Sequence, residues 1–591
     1  MDPEKPQTSS GSVNSKNENG VSRKEHIAEG APTTPGWPNA GPRGVVTWLG
    51  LTGVIFGYIS MEMLFLMPST IQSAISTELG SRSYIYWIGL GLRSVNLIFW
   101  VLSGSLSDKY GRKSYLISGF IVTIVGSIIC CTVDSIWKII LGTLIEGIGS
   151  GQLGNAVAIV SEVVPHKRRP AVQGLLYICP LPFVATSYIV GATIMKNTTW
   201  KWVYYTNIIV NVVGLILVTL FYLPPTRNCT VTWRRPSVVL KAALRVDWVG
   251  FWLLSLFTIL LCIALLWGGF KTHGWDTAAV LVPLMFGLLS LIILATWENW
   301  FVKRPLFPKG MFHNLRGYGH ILGNAAFASF GYAAVDQIYP THVKTLYATS
   351  DIRQGVLLLP SGFGQIFGAI ACGLLARRIG HTQIQLSVST FLLALFVALL
   401  ATMTPSTVTP GHAYSLLAAT CSGYNRVLSI IMAQFGVADK SIATATAALQ
   451  ISMSMGLAFI VSFYYTIIDS IVGKDLVKDI SKAVLRLGLP MTSLPAFILA
   501  LAAGEQAALL QVPGITPQVI DAGVLALKHV YMHAFRIIYL LGMASSLIAL
   551  GFALCTRDVT EKMTDEVAVD MSKGEMSLLP LKASEGEPIY E

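Results

Sequence analysis

Five ionisable side chains sit inside long apolar stretches of this sequence: Glu62, Arg93, Glu146, Asp336 and Arg426. A charge at bilayer depth costs about 2.5 to 3.5 kcal/mol on insertion scales, so it faces a cavity or a partner. A carboxylate in such a place can take a proton from one side and release it to the other when its hydration changes. Glu62 and Asp336 are the first candidates for that chemistry. Arg93 and Arg426 would then be counter-charges, or contacts for a polar or anionic substrate. Glu146 opens Glu146-Gly147-x-Gly149-x-Gly151, where Gly147 and Gly151 have the small-xxx-small spacing that lets another backbone approach. It reads equally as a proton handler and as part of a packing seam. The plainer alternative for all five is a fixed ion pair that holds helices in register.

The elements that must position these residues are helices. Runs of about 20 apolar residues cross a bilayer, and they are expected near 45–67, 84–104, 114–132, 137–160, 171–194, 203–223, 248–268, 278–298, 319–340, 355–376, 386–403, 413–437, 441–468 and 535–555. The chain is 53% hydrophobic and 12% charged, against roughly 25% charged in a soluble domain. Its net charge of +11 lies in short loops, which marks membrane orientation rather than nucleic-acid binding. Loops after even-numbered helices carry about 18 Lys/Arg and those on the other face about 7, so both tails are expected in the cytoplasm. The eight cysteines are scattered, with no metal-ligand spacing and no disulfide framework. Neither a metal nor a cofactor is expected.

Residues 1–44 read as a disordered cytoplasmic tail, 45–223 as a six-helix lobe, 224–247 as a basic cytoplasmic linker and 248–298 as two inserted helices. A cytoplasmic loop over 299–318 leads to a second six-helix lobe, 319–555, which includes an external segment of short helices at 469–534. An acidic tail, 556–591, follows. Asn197-Thr-Thr199 is a glycosylation sequon in a loop expected outside, whereas Asn228-Cys-Thr230 falls on the cytoplasmic side.

Between the second and third apolar runs stands Gly104-x-Leu106-Ser-Asp108-Lys109-x-Gly111-Arg112-Lys113. It resembles the loop signature of the major facilitator superfamily. The resemblance implies an all-α membrane protein of two six-helix lobes, here with two inserted central helices, rocking around a central site. Helices 1 and 9, with Glu62 and Asp336, would line corresponding halves of the cavity, while Gly104, Asp108, Lys109, Gly111 and Arg112 would gate the cycle. Gly373-x-Leu375-x-Arg377-Arg378-x-Gly380-His381 repeats the loop in faded form, with Arg377 in place of the acid. Trp200-x-Trp202 to Asn207 resembles a segment of the drug:proton antiporters. Asp247-Trp248-x-Gly250, Tyr339-Pro-Thr-His, Gly362-x-Gly364 and Val512-Pro-Gly together look like the fourteen-helix fungal branch of trichothecene efflux pumps and siderophore transporters. Thr143 stands where the antiporters carry an arginine, and Cys179-Pro180-Leu-Pro182 keeps little of their helix 5 motif, so antiport and symport both stay open.

The expected activity is proton-coupled efflux of a bulky secondary metabolite, mycotoxin or drug. Proton-coupled uptake of ferric siderophores and a transporter-like nutrient sensor are the alternatives. An enzyme is not expected, since no metal spacing, P-loop or nucleophile motif is present. The partners are the bilayer, protons and a small molecule, acting on a monomer. The plasma membrane is the expected location, with a vacuolar or vesicle membrane as the alternative.

Overall fold

Backbone groups in lipid must be satisfied within their own segment, so apolar runs of this length fold as helices. A computed structural model describes residues 42–564 apart from 80–85, 224–246, 270–272, 303–304, 308, 349, 406–407, 504–508 and 510, and shows no strand among them. The first lobe contains α1 (Pro42–Thr70), α2 (Gln72–Leu79), α3 (Tyr86–Tyr110), α4 (Arg112–Cys131), α5 (Ile136–Leu153), α6 (Ala156–Val163), α7 (Arg169–Ile178), α8 (Leu181–Val184), α9 (Ser187–Asn197) and α10 (Trp202–Phe221). Then come α11 (Trp248–Gly269) and α12 (Ala278–Thr296), with a short α13 (Lys309–His313). The second lobe contains α14 (His320–Ala333), α15 (Tyr339–Leu346), α16 (Asp351–Ile379), α17 (Thr382–Leu400), α18 (Val408–Phe435), α19 (Ile442–Leu485), α20 (Leu494–Ala503) and α21 (Pro517–Leu554).

Among the described residues, 11 helices are long and apolar enough to cross a membrane. Three further expected crossings are built of shorter helices end to end: α5 with α6, α7 through α9, and α14 with α15. Pro180 and Pro182 account for the second break, because each removes a backbone donor and crowds the preceding turn. The third contains a π-helical turn at Ala334–Ile338, a form that recurs at functional sites. Asp336 lies in it.

α11 packs on α12, on α3 of the first lobe and on α19 of the second. The outer face of α12 is apolar and exposed at Val282, Met285, Phe286 and Ile292, as a lipid-facing helix requires. α12 therefore lies mainly against α11, while α11 lies at the junction of the lobes, with Cys262 in the wall of the space between them.

Two expectations change. Segment 469–534 is not mainly a run of short helices: α19 continues to Leu485 over 44 residues, and α21 begins at Pro517 and runs for 38. At 1.5 Å per residue α19 is about 66 Å long, twice the thickness of a hydrocarbon core. The extensions persist because Ile480 and Val484 pack with Phe497, Leu501 and Val519 in a small apolar cluster of their own. The second change is at the C terminus, where residues 556–564 are ordered against the lobes, with Val559 and Met563 inside the main apolar cluster.

Candidate functional site

A cavity of about 790 Å³ lies between the lobes. Its lining runs from Glu62, Trp100 and Arg426 to Thr70, Lys344 and Asp351, near the helix ends remote from the basic loops. At the basic-loop end the lobes are in contact. An added Cβ on Gly174 of α7 would lie 2.8 Å from the Ala369 carbonyl of α16, and one on Gly104 of α3 would lie 3.0 Å from Thr444 Oγ1 of α19. The first is too close for any side chain without a backbone shift, and the second leaves only a few tenths of an ångström to find. Arg169, fully buried, donates from Nη2 to Asp439 Oδ1 at 3.2 Å and lies over the Phe435 ring at 5.1 Å, so it ties the start of α7 to the end of α18. His166 Nε2 is 3.5 Å from Asp439 Oδ2. The structure is closed at the basic-loop end, and its cavity extends toward the other.

Four of the five intramembrane charges line this cavity. Glu62 Oε1 of α1 faces Arg426 Nη2 of α18 at 3.8 Å, an ion pair across the two lobes that is too long for a hydrogen bond. Glu62 Oε1 has no hydrogen-bond partner. Arg426 lies 5.6 Å over the ring of Tyr177, whose own ring is 5.9 Å from that of Tyr58. A cation between a carboxylate and an aromatic face keeps attraction when the carboxylate is neutralised. Such a pair can loosen without stranding its arginine.

Asp336 has a different environment. Gln337 Nε2 donates to its Oδ2 at 2.6 Å and Gln365 Nε2 of α16 donates to its Oδ1 at 3.2 Å. Arg93 of α3 donates to the Phe65 carbonyl at 3.3 Å and lies 5.4 Å over the Phe65 ring. The wall between these charges is rich in amides and hydroxyls, including Gln72, Gln354, Gln450, Ser422 and Tyr465. Sequence reasoning did not single out Gln337 or Gln365. A glutamine inside an apolar run, like an acid, is the available signal.

Glu146 stands outside the cavity. It is fully buried in the first lobe, where its Oε1 accepts from Ser127 Oγ of α4 at 2.5 Å. The chain of bonds continues through Asn207 and Ser60 to Asn211, linking α4, α10 and α1. Gly147 and Gly151 meet the Leu92 and Asn96 carbonyls of α3, the close approach their spacing predicts.

In the gating loop, Gly104 is at the lobe contact and Gly111 has φ 87°, a conformation that favours glycine. Arg112 Nη2 donates to Glu162 Oε1 of α6 at 2.6 Å, and Asn155 Nδ2 donates to Ser107 Oγ at 2.8 Å. The loop thus grips the end of α6. The side chains of Asp108 and Lys109 lie outside the described residues, as does Asn228. Sequence reasoning missed Glu162 and Asp439: Glu162 stands four residues before the basic segment 166–169, and Asp439, beside Lys440, meets that same segment only in the fold. Asn197 is exposed at the end of α9. Among the described residues no group of three or more His, Cys, Asp or Glu could hold a metal.

The sequence model of the fungal trichothecene efflux pump family matches residues 65–576. Trichothecene efflux pumps from Fusarium sporotrichioides and Trichoderma arundinaceum are 22% and 24% identical to this chain, each over 92% of it and 91% of their own length. A major facilitator-type transporter, VdtG, from Byssochlamys spectabilis is 25% identical over 67% of this chain and 70% of its own. Among solved structures, the proton:xylose symporter XylE aligns with a TM-score of 0.49 at 12% identity, covering 86% of this chain and 95% of that one.

Proposed function

Since the chain belongs to the fungal trichothecene efflux pump family of major facilitator transporters, we propose that it exports a bulky, largely apolar secondary metabolite in exchange for protons. It is a multi-pass membrane transporter and not an enzyme. The observation that carries the coupling is the inter-lobe pair of Glu62 and Arg426 at 3.8 Å in the wall of the cavity that also holds Asp336. A proton arriving on Glu62 removes the attraction that joins α1 to α18 at mid-height. A substrate entering when the cavity faces the basic-loop end meets the acids in competition with that proton, and the competition is what exchange requires. Asp336, held by two amide donors, is the second acid able to take part. Relatives such as the Fusarium sporotrichioides efflux pump support export. The plasma membrane, with both tails in the cytoplasm, the monomeric state and glycosylation at Asn197 belong to the same reading.

The test has two arms. A deletion strain is challenged with a panel of fungal toxins and grown on siderophore-bound iron. Toxin hypersensitivity supports export, and loss of growth on siderophore-bound iron would turn the direction to uptake. In vesicles, Glu62→Gln or Asp336→Asn should abolish accumulation driven by a proton gradient while sparing substrate exchange, because the amide imitates the protonated acid permanently. Gradient-driven accumulation that survives in both variants would remove these acids from the coupling.

A further inference from the structure

Residues 557–564 leave the end of α21 and cross the basic-loop end of the molecule from one lobe to the other. They first hold the second lobe at two helix termini of opposite polarity. Asp558 Oδ1 accepts from the Thr382 amide at 2.9 Å and from Thr382 Oγ1 at 2.6 Å, at the first residue of α17. Lys562 Nζ donates to the Phe435 carbonyl at 2.6 Å, the last residue of α18. A carboxylate at a helix N-terminus and an ammonium at a C-terminus are each in the favourable sense for the helix dipole. Between them Val559, 2% exposed, and Met563, 9% exposed, belong to the cluster that holds Val160 and Leu176 of the first lobe and Ala376 and Phe435 of the second. The segment then reaches the first lobe, where the Lys167 amide donates to the Thr564 carbonyl at 2.8 Å.

We propose that residues 557–564 form a strap that holds the lobes together at the basic-loop end and must release Lys167 each time the cavity opens there. The bond between Lys167 and Thr564 lies beside the contacts that seal that end, Arg169 with Asp439 and Gly174 with Ala369, and it joins the same two bodies. Separation of α7 from α16 cannot leave it intact. The strap therefore biases the protein toward the state whose cavity faces the other end. The inference rests on alternating access of the two lobes and on no assignment of substrate or coupling ion.

Cys372, fully buried beside Gly373 at the contact of α16 with α7, is a native reporter of that opening. In a variant keeping Cys372 as its only cysteine, Asp558→Ala with Lys562→Ala should raise the rate of Cys372 alkylation by N-ethylmaleimide at least about tenfold, the population change that even one of the charge-assisted hydrogen bonds lost would permit. Size-exclusion behaviour should stay that of the parent. In the same background, Lys167→Cys with Thr564→Cys should form a disulfide under mild oxidation, protect Cys372, and restore its reactivity when reduced. That comparison uses one protein in two redox states, so misfolding cannot imitate it. Failure of the disulfide to form, equal Cys372 reactivity in its oxidised and reduced forms, or parent-like reactivity of the Asp558→Ala/Lys562→Ala variant would overturn the proposal.

Discussion

Separating the charges of Glu62 and Arg426 should reveal a coupling energy that neither residue has alone. At 3.8 Å two unit charges attract by about 4 kcal/mol for an effective dielectric constant near 20. Desolvation offsets much of that, and side chains 10% (Glu62) and 24% (Arg426) exposed admit screening. The remainder is about 1 to 2 kcal/mol, a factor of roughly 5 to 30 in a two-state equilibrium. The measurement is a double-mutant cycle on Glu62→Gln, Arg426→Met and the pair, by reversible unfolding in mixed micelles. Arg426→Met should cost more than Glu62→Gln, because it leaves Glu62 without its cation in a wall where it is only 8% exposed, whereas Glu62→Gln leaves Arg426 on the face of Tyr177. The double variant should recover part of the loss. A coupling energy below about 0.3 kcal/mol, the scatter of independent sites, would show that the two charges do not act as a pair and would refute the argument from geometry to coupling.

Gly174→Leu should stop the lobes from closing at the basic-loop end, since a Cβ there already meets the Ala369 carbonyl at 2.8 Å; with overpacking of about 1 to 3 kcal/mol, Cys372 should become reactive, and a protected Cys372 would contradict the seam. Asp108→Asn should leave protein abundance unchanged and slow transport, because the amide keeps the size and loses the charge; normal transport rates would make the motif vestigial here. Burial works against the ionised Asp558 carboxyl, yet donors from Thr382 and Thr560 outweigh it and hold the group below the usual carboxylate range. The folded value lies below the unfolded one, near 3.9, so this contribution is full above about pH 4 and is lost as pH falls through the folded value. His381 Nδ1 lies 3.7 Å from Asp558 Oδ2, and the strap's Cys372 protection should lose Asp558's part only below about pH 4. Tags at both termini should resist external protease on intact cells, and digestion of one alone would remove the even helix count.

What the sequence made legible follows from how sharply each signal departs from its surroundings. A long apolar run permits one backbone solution in lipid, so the membrane helices could be read with few errors of kind. Glu62, Arg93, Asp336 and Arg426 stood out because a charge is costly there, and all four line one cavity. Which of them meet was not legible, since the pairing of Glu62 with Arg426 depends on how two lobes dock across 364 positions of sequence, and composition carries no record of that. The lengths of α19 and α21 were missed for a related reason. Toward their outer ends the pattern turns more polar, and the residues that pack there, Ile480 and Val484 on Phe497, come from segments distant in sequence. Arg169 and Asp439 sit among other polar residues near a surface, where a charge is ordinary, so their tie across the seam had no contrast to announce it.

The repeat is the most informative case, because backbone and side chains diverge in it. Gly111 and Gly380 occupy the same place in the two copies, and both have positive φ, 87° and 65°. The turn demands that conformation whatever charges flank it, so glycine survives where the acid does not. In the second copy Arg377 stands at the position of Asp108, and the loop would lack a carboxylate of its own. The carboxylate comes instead from Asp558, 176 residues after its partner Thr382, which it holds immediately beyond Gly380 and His381. A faded motif in one lobe and a tail docked against it thus make one arrangement: the second loop takes its acid from a segment that also reaches the first lobe. Its grip on the second loop then depends on the same segment that must let go of Lys167, whereas Arg112 and Glu162 join two elements of the first lobe and need not part when the lobes do.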